Sequence, residues 1–183
     1  MKERVFAKQS AEDFCILNYS DPYCRKMAGK TKARVFFFSS QETLDEGIFL
    51  EGEDIRVRWN GVDECLLSVN DLQILGVHNY ENAMAAAAAG ICAGVPLDTI
   101  REILRNFPGV EHRIEYVATV DGVDYYNDSK GTNTDASARA VLAMKKPIVL
   151  SGGGYDKKGS LDEWTKLFPE RVKHLVLIGA TAP

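Results

Sequence analysis

Apolar positions along the chain alternate between short runs, which predict strands, and helical repeats. Phe14-Cys15-Ile16-Leu17 is a compact apolar run that predicts a buried strand. Arg34-Val35-Phe36-Phe37-Phe38 predicts a second, of the kind buried on both faces of a sheet. Between them, Ser20-Asp21-Pro22 starts a helix with Asp21 as N-cap and Pro22 at the first helical position, and Gly29 closes it. Residues 48–50, 55–59 and 66–67 predict shorter, half-exposed strands, with Asn60-Gly61 as a two-residue hairpin turn. Residues 1–9, where Val5 and Phe6 are the only large apolar pair, suit the tail of a helix.

From 78 to 94 the composition is alanine-rich, free of proline and closed by glycine, which predicts a helix packed closely on a neighbour. Residues 96–107 predict another, with Ile100, Ile103, Leu104 and Phe107 at helical spacing. Phe107-Pro108-Gly109 then breaks the pattern. Apolar segments at 114–120 and 123–126 flank Asp121-Gly122, a second hairpin. A polar loop, a helix over 134–143, a strand over 147–150, a glycine-rich loop, a helix over 161–168 and a strand over 175–178 follow. That alternation predicts α/β architecture with a parallel sheet. A domain boundary is expected near Gly109–Arg113, dividing the chain into 1–110 and 111–183. The stop directly after a strand, where a doubly wound fold continues into a helix, reads as truncation.

Composition narrows the class. Apolar residues make up 45% and charged residues 26%, which excludes disorder and fibres. A net charge of −4 and a pI near 5.4 argue against a nucleic-acid binder. Cys15, Cys24, Cys65 and Cys92 form no CxxC pair, so zinc and a disulfide framework are not expected. They read as small core residues in a reducing compartment. The charged start Met1-Lys2-Glu3-Arg4 has no secretory pattern, and the apolar stretch 83–89 is too short to span a bilayer. The expectation is a cytoplasmic protein, monomeric and not inserted in a membrane.

Gly29-Lys30-Thr31 imitates the end of a P-loop, but Cys24 stands where that motif needs a glycine and a helix precedes it. A helix cap and a solvated turn account for it. The loop from Asn127 to Asp135 is polar throughout except for Gly131, and lies between a strand and a helix, where α/β folds place ligands. A carboxylate there can hold ribose hydroxyls, an ammonium phosphate, and a hydroxyl a substrate carboxylate. The plain alternative is an ordinary turn with Thr134 or Asp135 as cap. Ser151 to Gly159 follows the next strand; its three consecutive glycines allow close backbone approach and Lys157 adds a positive charge. Both loops follow consecutive strands, so one shared cleft is expected. His112-Arg113 sits at the expected boundary, where an arginine can clamp phosphate or pair with Glu111 or Glu115. Asn79 and Asn82 share one face at the start of the alanine-rich helix.

Four segments in this order carry a resemblance: Gly76-Val77-His78-Asn79-Tyr80-Glu81-Asn82-Ala83; Phe107-Pro108-Gly109-Val110-Glu111-His112-Arg113-Ile114-Glu115; Tyr126-Asn127-Asp128-Ser129-Lys130-Gly131-Thr132-Asn133; and Gly152-Gly153-Gly154-Tyr155-Asp156-Lys157. Together they resemble the Mur ligase family, most specifically its D-glutamate-adding branch. The resemblance is looser before residue 76, through Lys2-Glu3-Arg4-Val5-Phe6 and Leu17-Asn18-Tyr19-Ser20-Asp21-Pro22. It implies part of a central ATPase domain followed by part of a Rossmann-like C-terminal domain, without the P-loop. The implied reaction uses ATP and Mg2+ to phosphorylate the carboxylate of UDP-N-acetylmuramoyl-L-alanine, after which the amine of D-glutamate attacks the acyl phosphate. That chemistry serves peptidoglycan synthesis, and the chain alone is expected to be inactive.

By the same resemblance Asn79 and Asn82 lie near adenine and phosphates. Arg113, with His112 beside it, contacts ATP, while Asp128 and Lys130 hold ribose and phosphate; Arg113 and Lys130 are the implied catalytic pair. Thr132 and Lys157 hold the D-glutamate carboxylates. Lys2 matches a carbamylated lysine that bridges magnesium. Gly131 stands where the family commonly has alanine, a departure expected to leave the loop intact. The rival readings are a sibling Mur ligase, a folylpolyglutamate synthetase-like ligase, or a non-catalytic module without a P-loop.

Overall fold

The structure is a computed structural model that describes residues 2–155 and 160–181, the side chains of Lys2, Glu3 and Thr181 excepted. The chain folds as two compact units, Met1–Gln73 with Val77–Phe107 and Ile74–Gly76 with Pro108–Pro183.

In the first unit five strands form one sheet in the order of the chain: β1 (Phe14–Asn18), β2 (Arg34–Ser39), β3 (Gly47–Glu51), β4 (Asp54–Trp59) and β5 (Val62–Ser68). The first three are parallel, and β4 runs antiparallel to both of its neighbours, β3 and β5. Asn60 and Gly61 turn β4 into β5 with φ of 50° and 81°, the positive pair that a type I′ turn requires. Helix α1 (Pro22–Ala28) begins at Asp21, whose side chain accepts the amides of Tyr23 and Cys24, and ends on Gly29.

The alanine-rich segment forms α2 (Val77–Cys92), with Ala83, Met84, Ala87 and Ala88 buried. It packs on β1, β2 and β3, and methyl-sized side chains let its axis come close to the sheet. Phe36, Ile48, Phe49 and Ile55 of the sheet and Met84 of α2 are fully buried. Helix α3 (Leu97–Asn106) buries Ile100 and Leu104 but leaves Ile103 and Phe107 exposed. Burying side chains of this size stabilises by about 1.5–3 kcal/mol each.

The second unit starts with a hairpin of β6 (Glu115–Val120) and β7 (Val123–Asn127), turned at Asp121 and Gly122 with φ of 51° and 78°. Helix α4 (Thr134–Ala143) follows, then β8 (Ile148–Gly153), α5 (Asp162–Thr165), α6 (Phe168–Arg171) and β9 (Val172–Ile178). Strands β8 and β9 are parallel, so this crossover is the expected strand–helix–strand unit.

Several expectations are corrected. Lys2–Phe6 is a 3-10 turn rather than the tail of an α-helix. Strand β2 is fully buried only at Phe36 and Ser39, whereas Ile48 and Phe49 of β3 and Leu66 and Leu67 of β5 are buried, not half-exposed. The single helix expected over 161–168 is two short ones, because Pro169 falls in the first turn of α6, where a residue without an amide hydrogen starts a helix rather than continuing one. Cys15 is buried, which raises its thiol pKa, but Cys24 and Cys92 are half-buried and Cys65 is exposed. Strands β7 and β8 lie in different sheets, so the shared cleft inferred from consecutive strands has no topological support.

Candidate functional site

The segment His112-Arg113-Ile114 and the loop Asn127–Thr132 lie far apart in sequence and are joined in the second unit by three hydrogen bonds. The Asn127 amide nitrogen meets His112 Nδ1 at 2.9 Å. The Ile114 amide donates to Asp128 Oδ1 at 3.0 Å. The Lys130 amide donates to the His112 carbonyl at 2.9 Å. This clasp brackets Arg113, whose own amide donates to the Val110 carbonyl at 3.1 Å.

The local sequence explains the bend. His112 and Ile114 have φ of 66° and 47°. A β-branched residue is rare in that region, so its neighbours must hold Ile114 there: its side chain is 9% exposed and its amide is bonded to the Asp128 carboxylate. Glu115 Oε2 accepts the His112 amide at 2.8 Å and lies 3.4 Å from Asn127 Nδ2. Glu115 thus supports His112 rather than pairing with Arg113. Among the described residues neither the Arg113 guanidinium nor the Lys130 ammonium has an ion-pair partner.

The loop closes on itself through the Gly131 amide to the Asp128 carbonyl and the Thr132 amide to the Lys130 carbonyl, both at 2.8 Å. A Cβ on Gly131 would press on Asp128 Oδ2 and lie 3.0 Å from the Asp128 carbonyl oxygen. Glycine at 131 therefore fits this tight loop, where alanine would crowd the carboxylate. Asn133, not Thr134 or Asp135, caps α4, accepting the Ala136 amide at 2.8 Å.

In the first unit, Asn79 is buried and Asn82 exposed, with Asn82 Nδ2 3.4 Å from Asn79 Oδ1. The imitation P-loop is a turn: Thr31 Oγ1 donates to Gln9 at 3.0 Å and accepts the Ala33 amide at 3.1 Å. Lys157 and the side chain of Lys2 lie outside the described residues. Among the described residues no group of three His, Cys, Asp or Glu is arranged to hold a metal. No helix of the described residues is long and apolar enough to cross a membrane.

The clasp thus gathers four of the sequence-selected residues, His112, Arg113, Asp128 and Lys130, with Thr132 following on the same loop. Sequence reasoning missed Glu115 and Asn127 as supports. Their signal was present only as polar residues flanking the two motifs.

Residues 1–90 match the Mur ligase middle domain. Over 180 residues the chain is 49% identical to the UDP-N-acetylmuramoylalanine–D-glutamate ligase of Lachnoclostridium phytofermentans, covering 98% of the chain and 40% of that protein. The ligase of the same name from a Thermoanaerobacter species is 44% identical over 182 residues, with 100% and 40% covered. The chain therefore spans 40% of the length of these relatives. Among solved structures, MurF from Acinetobacter baumannii superposes with a TM-score of 0.69 at 18% identity, covering 97% of this chain and 41% of that one. Folylpolyglutamate synthetase from Lactobacillus casei gives 0.61 at 12%, covering 99% and 47%. These two likenesses show the fold. With the middle-domain match over its first half and sequence identity along its whole length, the chain belongs to the Mur ligase family.

Proposed function

We propose that this chain is part of an ATP-dependent ligase that joins D-glutamate to UDP-N-acetylmuramoyl-L-alanine in peptidoglycan precursor synthesis. Residues 1–110 belong to its central ATP-binding domain and 111–183 to its Rossmann-like C-terminal domain. The observation that carries the nucleotide reading is the clasp, which fixes Arg113 and Lys130 on one hydrogen-bonded frame beside a carboxylate. The choice of D-glutamate is supported by the names of the relatives 44–49% identical to this chain.

ATP, when bound, would supply the phosphoryl group that activates a carboxylate for attack by an amine. The chain's own residues bind and orient. Arg113 offers a planar fork of donors suited to phosphate, and Lys130 a compact positive charge. Asp128 accepts the Ile114 amide at Oδ1, and its carboxylate is assigned to ribose hydroxyls. In the first unit Asn82 is the exposed amide assigned to adenine or phosphate, with Asn79 behind it. Thr132 and Lys157 are assigned to the D-glutamate carboxylates. Magnesium with a carbamylated Lys2 belongs to the same reading; among the described residues no group of three His, Cys, Asp or Glu is arranged to hold it.

The test is an amino-acid screen with the full-length ligase, following phosphate release in the presence of UDP-N-acetylmuramoyl-L-alanine. D-Glutamate should be the preferred acceptor. Preference for another amino acid would assign the chain to a sibling, and activity on folates to a synthetase of the second kind. Phosphate release with none of these would favour neither and sink the ligase reading.

A further inference from the structure

His112 has two ring nitrogens, and its surroundings decide which carries the proton. The Ser129 amide donates to Asn127 Oδ1 at 3.1 Å, which identifies that end of the Asn127 side chain as the carbonyl. The end 2.9 Å from His112 Nδ1 is therefore the NH2 group. A flip would set the NH2 against the Ser129 N–H, donor against donor. An NH2 hydrogen pointing at Nδ1 requires a lone pair there, so the neutral ring carries its proton on Nε2. The Asn127 NH2 group also lies 3.4 Å from Glu115 Oε2, which accepts the His112 amide at 2.8 Å and stands 3.4 Å from His112 Nδ1, farther from the ring nitrogen than the Asn127 donor. Asn127 and Glu115 thus hold both the ring and the backbone of the residue that precedes Arg113.

We propose that Asn127 is a positioning residue that holds His112 as the Nε2–H tautomer, with Glu115 holding its backbone, leaving Nε2–H to donate to an anionic phosphate oxygen beside Arg113. The proposal rests on the reading of Arg113 as a phosphate contact. A hydrogen bond to one imidazole nitrogen commonly sets which nitrogen faces a ligand. Asn127 meets the ring with a donor, so Nδ1 stays an acceptor. An aspartate at 127 would present only acceptors and reverse the preference.

The test is 15N–1H correlation spectroscopy of protein labelled with [15N]histidine, with His112 identified by the signals lost in His112→Gln. Neutral wild-type His112 should be the Nε2–H tautomer, and Asn127→Asp should move it to Nδ1–H. In the full-length ligase, Asn127→Asp should raise KM for ATP about two- to tenfold, as expected for one neutral hydrogen bond, with a smaller change in kcat. A wild-type Nδ1–H tautomer overturns the proposal without any variant having to fold. A tautomer unchanged in Asn127→Asp also overturns it. If the tautomer moves, ATP KM stays unchanged and Arg113→Ala still raises it, His112 does not donate to the nucleotide. If Arg113→Ala leaves ATP KM unchanged too, it is the nucleotide reading that fails.

Discussion

Asp128 Oδ1 accepts the amide of Ile114 at 3.0 Å, and that amide belongs to a β-branched residue held at φ 47°. A charged acceptor on a backbone donor contributes about 1.5–3 kcal/mol, enough to offset a residue in left-handed conformation, which costs about 1–3 kcal/mol. Asp128→Ala should therefore free the bend, with amide exchange at Ile114 and Lys130 faster by about ten- to a hundredfold. Adding Ile114→Gly should recover part of the protection, since glycine adopts positive φ without strain. Unchanged exchange at both amides would mean that the packing of the Ile114 side chain alone holds the turn.

Gly131→Ala tests how closely the loop is folded on Asp128. Reduced freedom of the unfolded chain would stabilise by about 0.4–1 kcal/mol. Crowding of the Asp128 carboxylate and carbonyl costs about 1–3 kcal/mol if nothing relaxes. The expected sum is a loss of about 1 kcal/mol, read from denaturant midpoints, with a shifted Ile114 amide resonance as the carboxylate swings away. A stabilised variant with that resonance unmoved would show that the loop accommodates a methyl group.

Across β4 and β5 the Asp63 carboxylate bonds Arg56 and Arg58, each at 2.9 Å, and these bonds hold its pKa below the ordinary carboxylate range. The unfolded chain then binds the proton more readily, so the contribution is fully present above about pH 4, the unfolded carboxylate value. It is lost as pH falls through the lower folded value. Asp63→Asn should make the fall in urea midpoint below about pH 5 shallower. Asp13 and Asp124 are shifted in the same direction, so part of the acid sensitivity should remain. An identical slope in wild type and variant would remove Asp63 from the account.

The elements whose signals are local were legible in the sequence. Asp21-Pro22, Asn60-Gly61 and Asp121-Gly122 each carry their own backbone chemistry, and the structure forms each as read. The alanines of α2 announced close packing for the same reason. What failed depended on partners distant in sequence. The burial of β3 comes from its place between β2 and β4 and its packing against α2, and the assignment of β7 and β8 to different sheets has no signature in either strand. The residues of the candidate site were recognisable as motifs, but their clasp was not, since it depends on Ile114 and His112 taking positive φ. Neither residue advertises that conformation in the way that glycine does.

The most direct test of the central claim is steady-state kinetics of the full-length ligase with ATP and D-glutamate varied in turn, for Arg113→Ala and Lys157→Ala. One charge-assisted hydrogen bond contributes about 1.5–3 kcal/mol, or about ten- to a hundredfold. Arg113→Ala should raise KM for ATP by that order and leave D-glutamate nearly unchanged. Lys157→Ala should lower kcat/KM for D-glutamate by the same order and leave ATP nearly unchanged. If Arg113→Ala spared ATP while Lys157→Ala raised its KM, the glycine-rich loop would be the nucleotide site. The clasp around Arg113 would then hold only the fold.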